Sequence, residues 1–402
     1  MKAIFVNHCH PEKQHVCAKR IWHFACAMAV RGHKIILLTE SLNPNHSDIS
    51  LTDLFKSIKV HDWSEPFVIP VVPVYDKTLT RLRNGELWYG IRQITILYRY
   101  LIEGGVFGNW RRGASAYFKF LEEMFDPDVI WSSFGNTDCW NIAQDLSWRL
   151  RCPWVGDLKD NWNSFLPLGL NALVAKRYCD MREVTAFSQT HRAQIHRVFK
   201  KDSTVIYSGF PKAQVKCMPL SFFNRILITG SLYNFNKVKI LVDGILQWIQ
   251  AGAKRAQSLE VSYAGGDVEI FHEATKALTP LCKTVCNRYL SIENLMDLQA
   301  TAWVNAYIYN EKSLFQHKTL ELLAAGRPVI SIPGESAEFL SIVQSVGAKV
   351  QICSSPQSVF LALENFNIND GSKLDPEKML EFSWESQVEK LEETLQSVSA
   401  NK

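Results

Sequence analysis

The chain has 402 residues, of which 47% are hydrophobic and 21% charged, and a formal net charge of +4. That length exceeds one ordinary core and predicts two domains, and the composition excludes a disordered chain. So small a charge does not argue for nucleic acid as a partner, although it leaves room for a local basic patch.

The opening MKAIFVNHCHPEK holds one short apolar run before it turns polar, which predicts a first strand over 3–7 and not a secretory signal. No apolar stretch reaches the roughly 18 residues of a membrane span, so none is expected. The 10 cysteines are scattered without a paired framework, which suits reduced thiols in a cytosolic protein. Cys282 and Cys286 lie four apart but have no second pair or histidine cluster to complete a zinc site.

His15 to Arg31 reads as an amphipathic helix, Gly32-His33 as a turn and KIILLTE, 34–40, as a second strand. Strand, helix, glycine turn and strand make a βαβ unit, and continuous apolar strands imply a parallel sheet covered on both faces. Apolar runs at 67–74, 128–134, 152–158, 184–188 and 203–209 continue the pattern. The stretch 210–224 carries two prolines and no helical period, as a connector would. Alternation restarts with RILITGS (225–231) and LEVSYAGG (259–266), then the helix HEATKALTPL, a run near Val285, the helix ENLMDLQA and WVNAYIY (303–309). HKTLELLAAGRPVISI (317–332) predicts a helix, a glycine stop and a buried strand; AKVQIC (348–353) predicts another strand, and PEKMLEFSWESQVEKLEETLQSV one closing helix. The fold class is α/β, with two doubly wound, Rossmann-like parallel-sheet domains facing a cleft. The expected boundaries are 1–210, a linker at 211–224, a second domain at 225–375 and a terminal helix at 376–402.

Such folds bind ligands at the carboxyl ends of their strands. In the second domain, TGSLYNFNKVK places Gly230 and Ser231 at a strand end, with Lys237 and Lys239 on the helix that follows. Glycine lets backbone approach a ligand, and helix N–H groups with a mobile cation suit a diphosphate; a Gly-Ser turn with a solvated lysine is the plainer account. Gly265 and Gly266 form a second glycine turn at the same edge. His317 and Lys318 open the later helix, with Lys318 directed at phosphates and Glu321, one turn on, at ribose hydroxyls. A surface Lys–Glu pair contributes only a few tenths of a kcal/mol, too little to explain both charges.

In the first domain, PWVGDLKDNW puts Asp157, Asp160 and Trp162 at a strand end. Aspartates there bind sugar hydroxyls, serve as a base or cap a helix, and an indole stacks on a sugar face. The loop HCHPEKQH contains His10 and His15; its spacing matches no common zinc site, and with Asn136 these residues are taken as polar groups on an acceptor side, with no metal. The segment 77–120 interleaves Arg81, Arg83, Arg92, Arg99, Arg111 and Arg112 with aromatics such as Trp88, Tyr89 and Tyr98. That pattern fits contact with an anionic membrane, and equally helices packed by aromatics with solvated arginines; single-stranded nucleic acid is a weaker third account.

With these motifs placed, the sequence resembles the glycosyltransferase-B (GT-B) superfamily, nearest the retaining family-4 (GT4) glycosyltransferases of bacterial exopolysaccharide and lipopolysaccharide synthesis. The resemblance is carried by RGHKIILLT, PDVIWSS with PWVGDLKDNW, VTAFS, ILITGSL and above all HKTLELLAAGRPVIS. It implies metal-independent sugar transfer with retention from a nucleotide-sugar donor, a co-substrate with no further cofactor, to a glycan or lipid-linked acceptor. The expected location is the cytoplasm, with peripheral contact at an anionic membrane through the segment 77–120, and the resemblance implies a last helix that crosses back to the first domain. Lys318 and Glu321 match residues that contact diphosphate and ribose, and Lys237 or Lys239 one that neutralises the leaving diphosphate. Three features depart from the family pattern: Ser313 stands where a second acidic residue is usual, the loop 8–15 replaces a Gly-Gly loop, and Ser132 or Ser133 stands where a histidine is common after the fourth strand. Ser313 and the missing glycine loop leave open a non-catalytic nucleotide-sugar-binding scaffold subunit, and the shared architecture leaves open a sugar-nucleotide epimerase.

Overall fold

A computed structural model of the chain describes all residues except 14, 43–50, 168, 216–223, 253, 289, 367–373 and 401–402. It divides into one compact unit of Met1–Tyr207 with Gln387–Lys402, and another of Ser208–Ser386. Most of the connector expected at 211–224 lies outside the described residues, which cover only 211–215 and Asn224.

The first unit is built on a sheet of seven parallel strands: β1 (Lys2–Asn7), β2 (Lys34–Glu40), β3 (Phe67–Val71), β4 (Val129–Ser133), β5 (Trp154–Leu158), β6 (Glu183–Ala186) and β7 (Thr204–Val205). Their order is β3-β2-β1-β4-β5-β6-β7, so the winding reverses between β1 and β4. Ile4 pairs with Ile36 on one side and Ile130 on the other, and all three are fully buried. Sheets covered on both faces need such unbroken apolar strands, which is why the runs were readable without alternation.

The second unit repeats the plan with six parallel strands: β8 (Asn224–Thr229), β9 (Leu259–Ala264), β10 (Lys283–Asn287), β11 (Val304–Ile308), β12 (Val329–Ile332) and β13 (Val350–Ile352). The order β10-β9-β8-β11-β12-β13 puts its reversal between β8 and β11. Loops leaving the carboxyl ends at a reversal diverge to opposite faces of the sheet and open a crevice, the usual ligand position in open α/β sheets.

Helix starts at these edges are fixed by short polar side chains. Asn136 accepts from the backbone N–H groups of Asp138 and Cys139, Ser188 from His191, Asn234 from Asn236 and Ser336 from Phe339. Each satisfies donors that the first helical turn leaves unpaired.

The closing segment differs from the single helix read in the sequence. Helix Pro376–Leu380 ends, Ser383 accepts from the Ser386 backbone N–H, and a new helix runs over Trp384–Ala400. A serine that caps competes with helix continuation, so an unbroken apolar period conceals the stop. From Gln387 onward this helix belongs to the first unit, where Gln387 accepts from the Tyr207 backbone N–H and Glu392 binds Arg31 and His33. The helix HEATKALTPL also shifts, to Val268–Thr275.

Candidate functional site

In the second unit the site gathers around one lysine. Lys318 begins the helix Lys318–Ala324, and its Nζ lies 3.4 Å from the Thr229 carbonyl oxygen and 3.3 Å from that of Ile308. Those carbonyls end β8 and β11, so the ammonium sits in the crevice where the winding reverses. The rings of Tyr307 and Tyr233 lie 5.1 and 5.6 Å from it. Burial pulls the Lys318 pKa down to about 8, against the opposing charges of Glu335 and Asp267. Two long carbonyl contacts and two ring faces solvate an ammonium poorly, which makes it a ready partner for an anion.

Gly230 has φ +81°, and a Cβ there would come within 3.0 Å of Lys318 Cδ and 3.1 Å of its Nζ. The left-handed backbone favours glycine here, and any added Cβ would also push the lysine that passes over it. Gly265 is tied to the same node, since a Cβ would strike the Tyr263 hydroxyl and the Gly230 carbonyl. The Tyr263 hydroxyl donates to the Gly230 carbonyl at 3.0 Å and accepts from the Asp267 backbone N–H at 2.9 Å. Asp267 in turn accepts from the Leu232 backbone N–H at 2.7 Å. The two glycine turns of the sequence are therefore one hydrogen-bonded assembly.

Of the other donor-side candidates, Glu321 accepts from His317 Nε2 at 3.0 Å, with both side chains partly buried. Lys237 reaches Glu311 in the loop after β11 at 3.1 Å. Ser231 and Gly266 are exposed at the two turns. Lys239 is exposed and spent on Asp243, one helical turn along. Sequence reasoning passed over Glu335, which accepts from the Tyr307 hydroxyl at 2.6 Å and from the Ser336 backbone N–H at 2.5 Å. Burial raises its pKa despite these bonds. An acid just past a buried strand was the available signal.

The first unit corrects two expectations. Asp157 lies within β5 with no exposure, bound by Arg20 at 3.0 Å, Ser133 at 2.9 Å and Thr185 at 2.8 Å. A carboxylate saturated inside the sheet cannot serve as a base at its edge, so Asp157 is structural. Trp162 is equally buried, packed against Phe134, Trp140, Tyr178 and Phe199, with its indole N–H on the Asn171 carbonyl. It is core, and no sugar face can reach it. Asn136 serves as a helix cap. Asp160, partly exposed, binds Lys159 at 2.5 Å, while Asn161 takes the cap. His15 caps the helix Val16–Val30 through the Cys17 backbone N–H, and His10 accepts from that of Glu12.

The segment 77–120 is less free in its cations than its sequence suggests. Arg99 binds Glu103 and Asp76, Arg111 binds Asp145, Arg112 binds Asp76, and Arg83 lies 4.3 Å over the Phe107 ring. Its apolar side chains are the exposed part: helix Tyr89–Tyr98 has no buried residue, and Trp88 and Ile94 are 77% and 70% exposed. Among the described residues no helix is long and apolar enough to cross a membrane.

No protein-family model matches the chain, and no curated protein does. Solved structures do. Anabaena HepE in complex with UDP-glucose is 13% identical at a TM-score of 0.65, with 99% of this chain and 100% of that one covered. The chain has the GT-B fold. A glycosyltransferase from Rickettsia africae gives 12% identity and a TM-score of 0.65 over 100% of this chain and 99% of that one. UDP-GlcNAc 2-epimerase from Methanocaldococcus jannaschii gives 10% and 0.57 over 99% and 100%.

Proposed function

We propose that the protein is a retaining, metal-independent glycosyltransferase of the GT4 kind, carrying a sugar from a nucleotide-sugar donor to a glycan or lipid-linked acceptor in surface polysaccharide synthesis. The observation that carries this reading is the Lys318 ammonium held over Gly230 at the ends of β8 and β11. In a glycosyl transfer the departing nucleoside diphosphate gains negative charge, and a preorganised, poorly hydrated cation stabilises that charge more than the bound donor. Lys318 fills this role, with Lys237 as a second, more mobile cation. Glu321 takes the ribose hydroxyls once its contact with His317 yields. HepE, bound to UDP-glucose, makes UDP the first nucleotide to try. On the acceptor side, Asp160, His10 and His15 are the polar groups in reach of solvent.

The exposed stripe Ile91, Ile94, Tyr98 and Leu101 recurs at helical spacing, with Trp88 and Tyr89 at its start and no acidic residue between Glu86 and Glu103. Such a face lies flat in a lipid interface, which would bring a cytoplasmic enzyme to a lipid-linked acceptor. Binding to anionic vesicles that is lost in a Trp88→Ser/Ile94→Ser variant is the expected result; equal binding by the variant would remove the membrane from this proposal.

The donor reading is tested by thermal shift against UDP, GDP, TDP, CMP and their sugars, in wild type and Glu321→Ala. A ligand at about a hundredfold over its Kd stabilises by about 2.7 kcal/mol. A shift in wild type that Glu321→Ala loses is expected, and equal shifts in both would discard Glu321 as a contact. The likeness to a UDP-GlcNAc 2-epimerase keeps a second reading alive: interconversion of nucleotide sugars with no acceptor present would replace transfer. Donor binding with neither reaction would leave a scaffold subunit.

A further inference from the structure

Where β1 ends and the next helix begins, the first unit assembles a thiol cluster outside the donor chemistry. The sulfurs of Cys9 and Cys17 and a ring nitrogen of His8 all lie within 4.8 Å of one another. Lys159, from the end of β5 and only 8% exposed, places its Nζ 2.7 Å from the Cys17 sulfur and 2.5 Å from Asp160. Cys17 is also the second residue of the helix Val16–Val30, with the N-terminal end of its dipole beside the sulfur. Cys9 is buried at 1% exposure, whereas Cys17 is partly open to solvent.

Two neighbouring thiols with one ammonium cannot be electrostatically equal. The Cys9 thiol donates to the Cys17 sulfur, burial opposes ionisation, and Lys159 with His15 favours it; the net result holds the Cys17 pKa far below the usual thiol range. The same hydrogen bond, with burial, pushes Cys9 up and keeps it a thiol. The groups facing the pair are His8, Lys13 and His15 from its own loop and Lys159 and Asp160 across the sheet. For Lys159, burial lowers the pKa, but Asp160 and the Cys17 sulfur more than reverse this and leave it charged. An ionised, partly exposed thiol next to a protonated one is the arrangement of a reactive cysteine and its resolving partner. A cation already on the Cys17 sulfur opposes a divalent ion there.

We propose that Cys17 is a hydroperoxide-reactive thiolate and Cys9 its resolving thiol, so that peroxide converts the pair to a disulfide. The Cys17 thiolate attacks the peroxide O–O bond, forming an S–O bond and releasing hydroxide, which takes a proton from solvent to leave as water. The Cys9 sulfur then displaces the sulfenic hydroxyl; an S–S bond forms, and the Cys9 proton leaves with that hydroxyl as a second water. Both thiols are oxidised and one peroxide is reduced. This inference is independent of the proposed transferase activity.

The test treats the reduced full-length protein with stoichiometric hydrogen peroxide and maps peptides without reductant. Loss of two hydrogens with Cys9 linked to Cys17 is expected, as is a dimedone-trapped sulfenic acid on Cys17 in Cys9→Ser and neither product in Cys17→Ser. Exposed Cys179 is the internal reference. In the unmodified chain at pH 6, iodoacetamide should label Cys17 well before Cys179, a readout that needs no variant to fold. Lys159→Met should move the labelling profile to alkaline pH and slow it by up to about thirtyfold at pH 7, since a thiol of ordinary pKa is about 3% ionised there. Cys17 reacting no faster than Cys179, or tightly bound zinc released on thiol modification, would overturn the proposal.

Discussion

Replacing Lys318 by methionine should move stability and ligand binding in opposite directions. Burial brings the ammonium from an ordinary 10.5 to about 8, so holding it charged at pH 7 costs the fold about 3 kcal/mol relative to a lysine in water. Its visible compensation is two carbonyl contacts of 3.4 and 3.3 Å and two ring faces, already included in that balance. Methionine has a similar length and fills the same space without the charge, so the ligand-free variant should unfold at higher urea, with a gain of about 1–3 kcal/mol. A hydrogen bond between charged groups contributes about 1.5–3 kcal/mol, so affinity for a nucleoside diphosphate should fall about tenfold to 150-fold. Urea titration with and without UDP measures both. The pH dependence provides an internal check. Between pH 8 and 10.5 the unfolded chain still holds the proton that folded Lys318 has released, so wild-type stability should rise with pH across that window, and this contribution should vanish in the variant. A variant that is less stable yet binds nucleotide as before would refute the reasoning and make Lys318 a structural plug between the strand ends.

Gly230→Ala should cost about 1–2 kcal/mol from the positive φ alone and also displace Lys318, so calorimetry and nucleotide binding should both register it. Asp157→Ala leaves Arg20 buried without its carboxylate, and a loss of about 3–5 kcal/mol in chemical denaturation is expected; a soluble, fully stable variant would show that the pair is dispensable. Trp162→Ala should lose a comparable 3–5 kcal/mol through its core cavity. If it instead kept its stability and changed only acceptor use, the burial described for this indole would be wrong.

Much of the architecture was legible because fully buried parallel strands leave uninterrupted apolar runs. AIFVN, KIILLTE and ILIT appear as strands within a residue or two of their expected ends, whereas the run at 203–209 supplies only Thr204–Val205. The break near Ser383 was concealed by a continuing helical period, because capping is decided by one hydroxyl and not by the hydrophobic pattern.

The candidate residues divide along the same line. By itself the sequence determined that Gly230 and Gly265 fall at strand ends and that Lys318 opens a helix, since element ends follow from local pattern. Only the tertiary structure decided that these three form one node, that Tyr263 ties it together and that Glu335 faces the lysine's charge, because β8, β9, β11 and the loop after β12 are distant in the chain. It likewise withdrew Asp157 and Trp162 from the surface. A motif records which residues stand near a strand end, but a side chain meets solvent, a partner or the core according to the sheet face it occupies and what packs there. For Asp157 that was Arg20, 137 residues away in sequence.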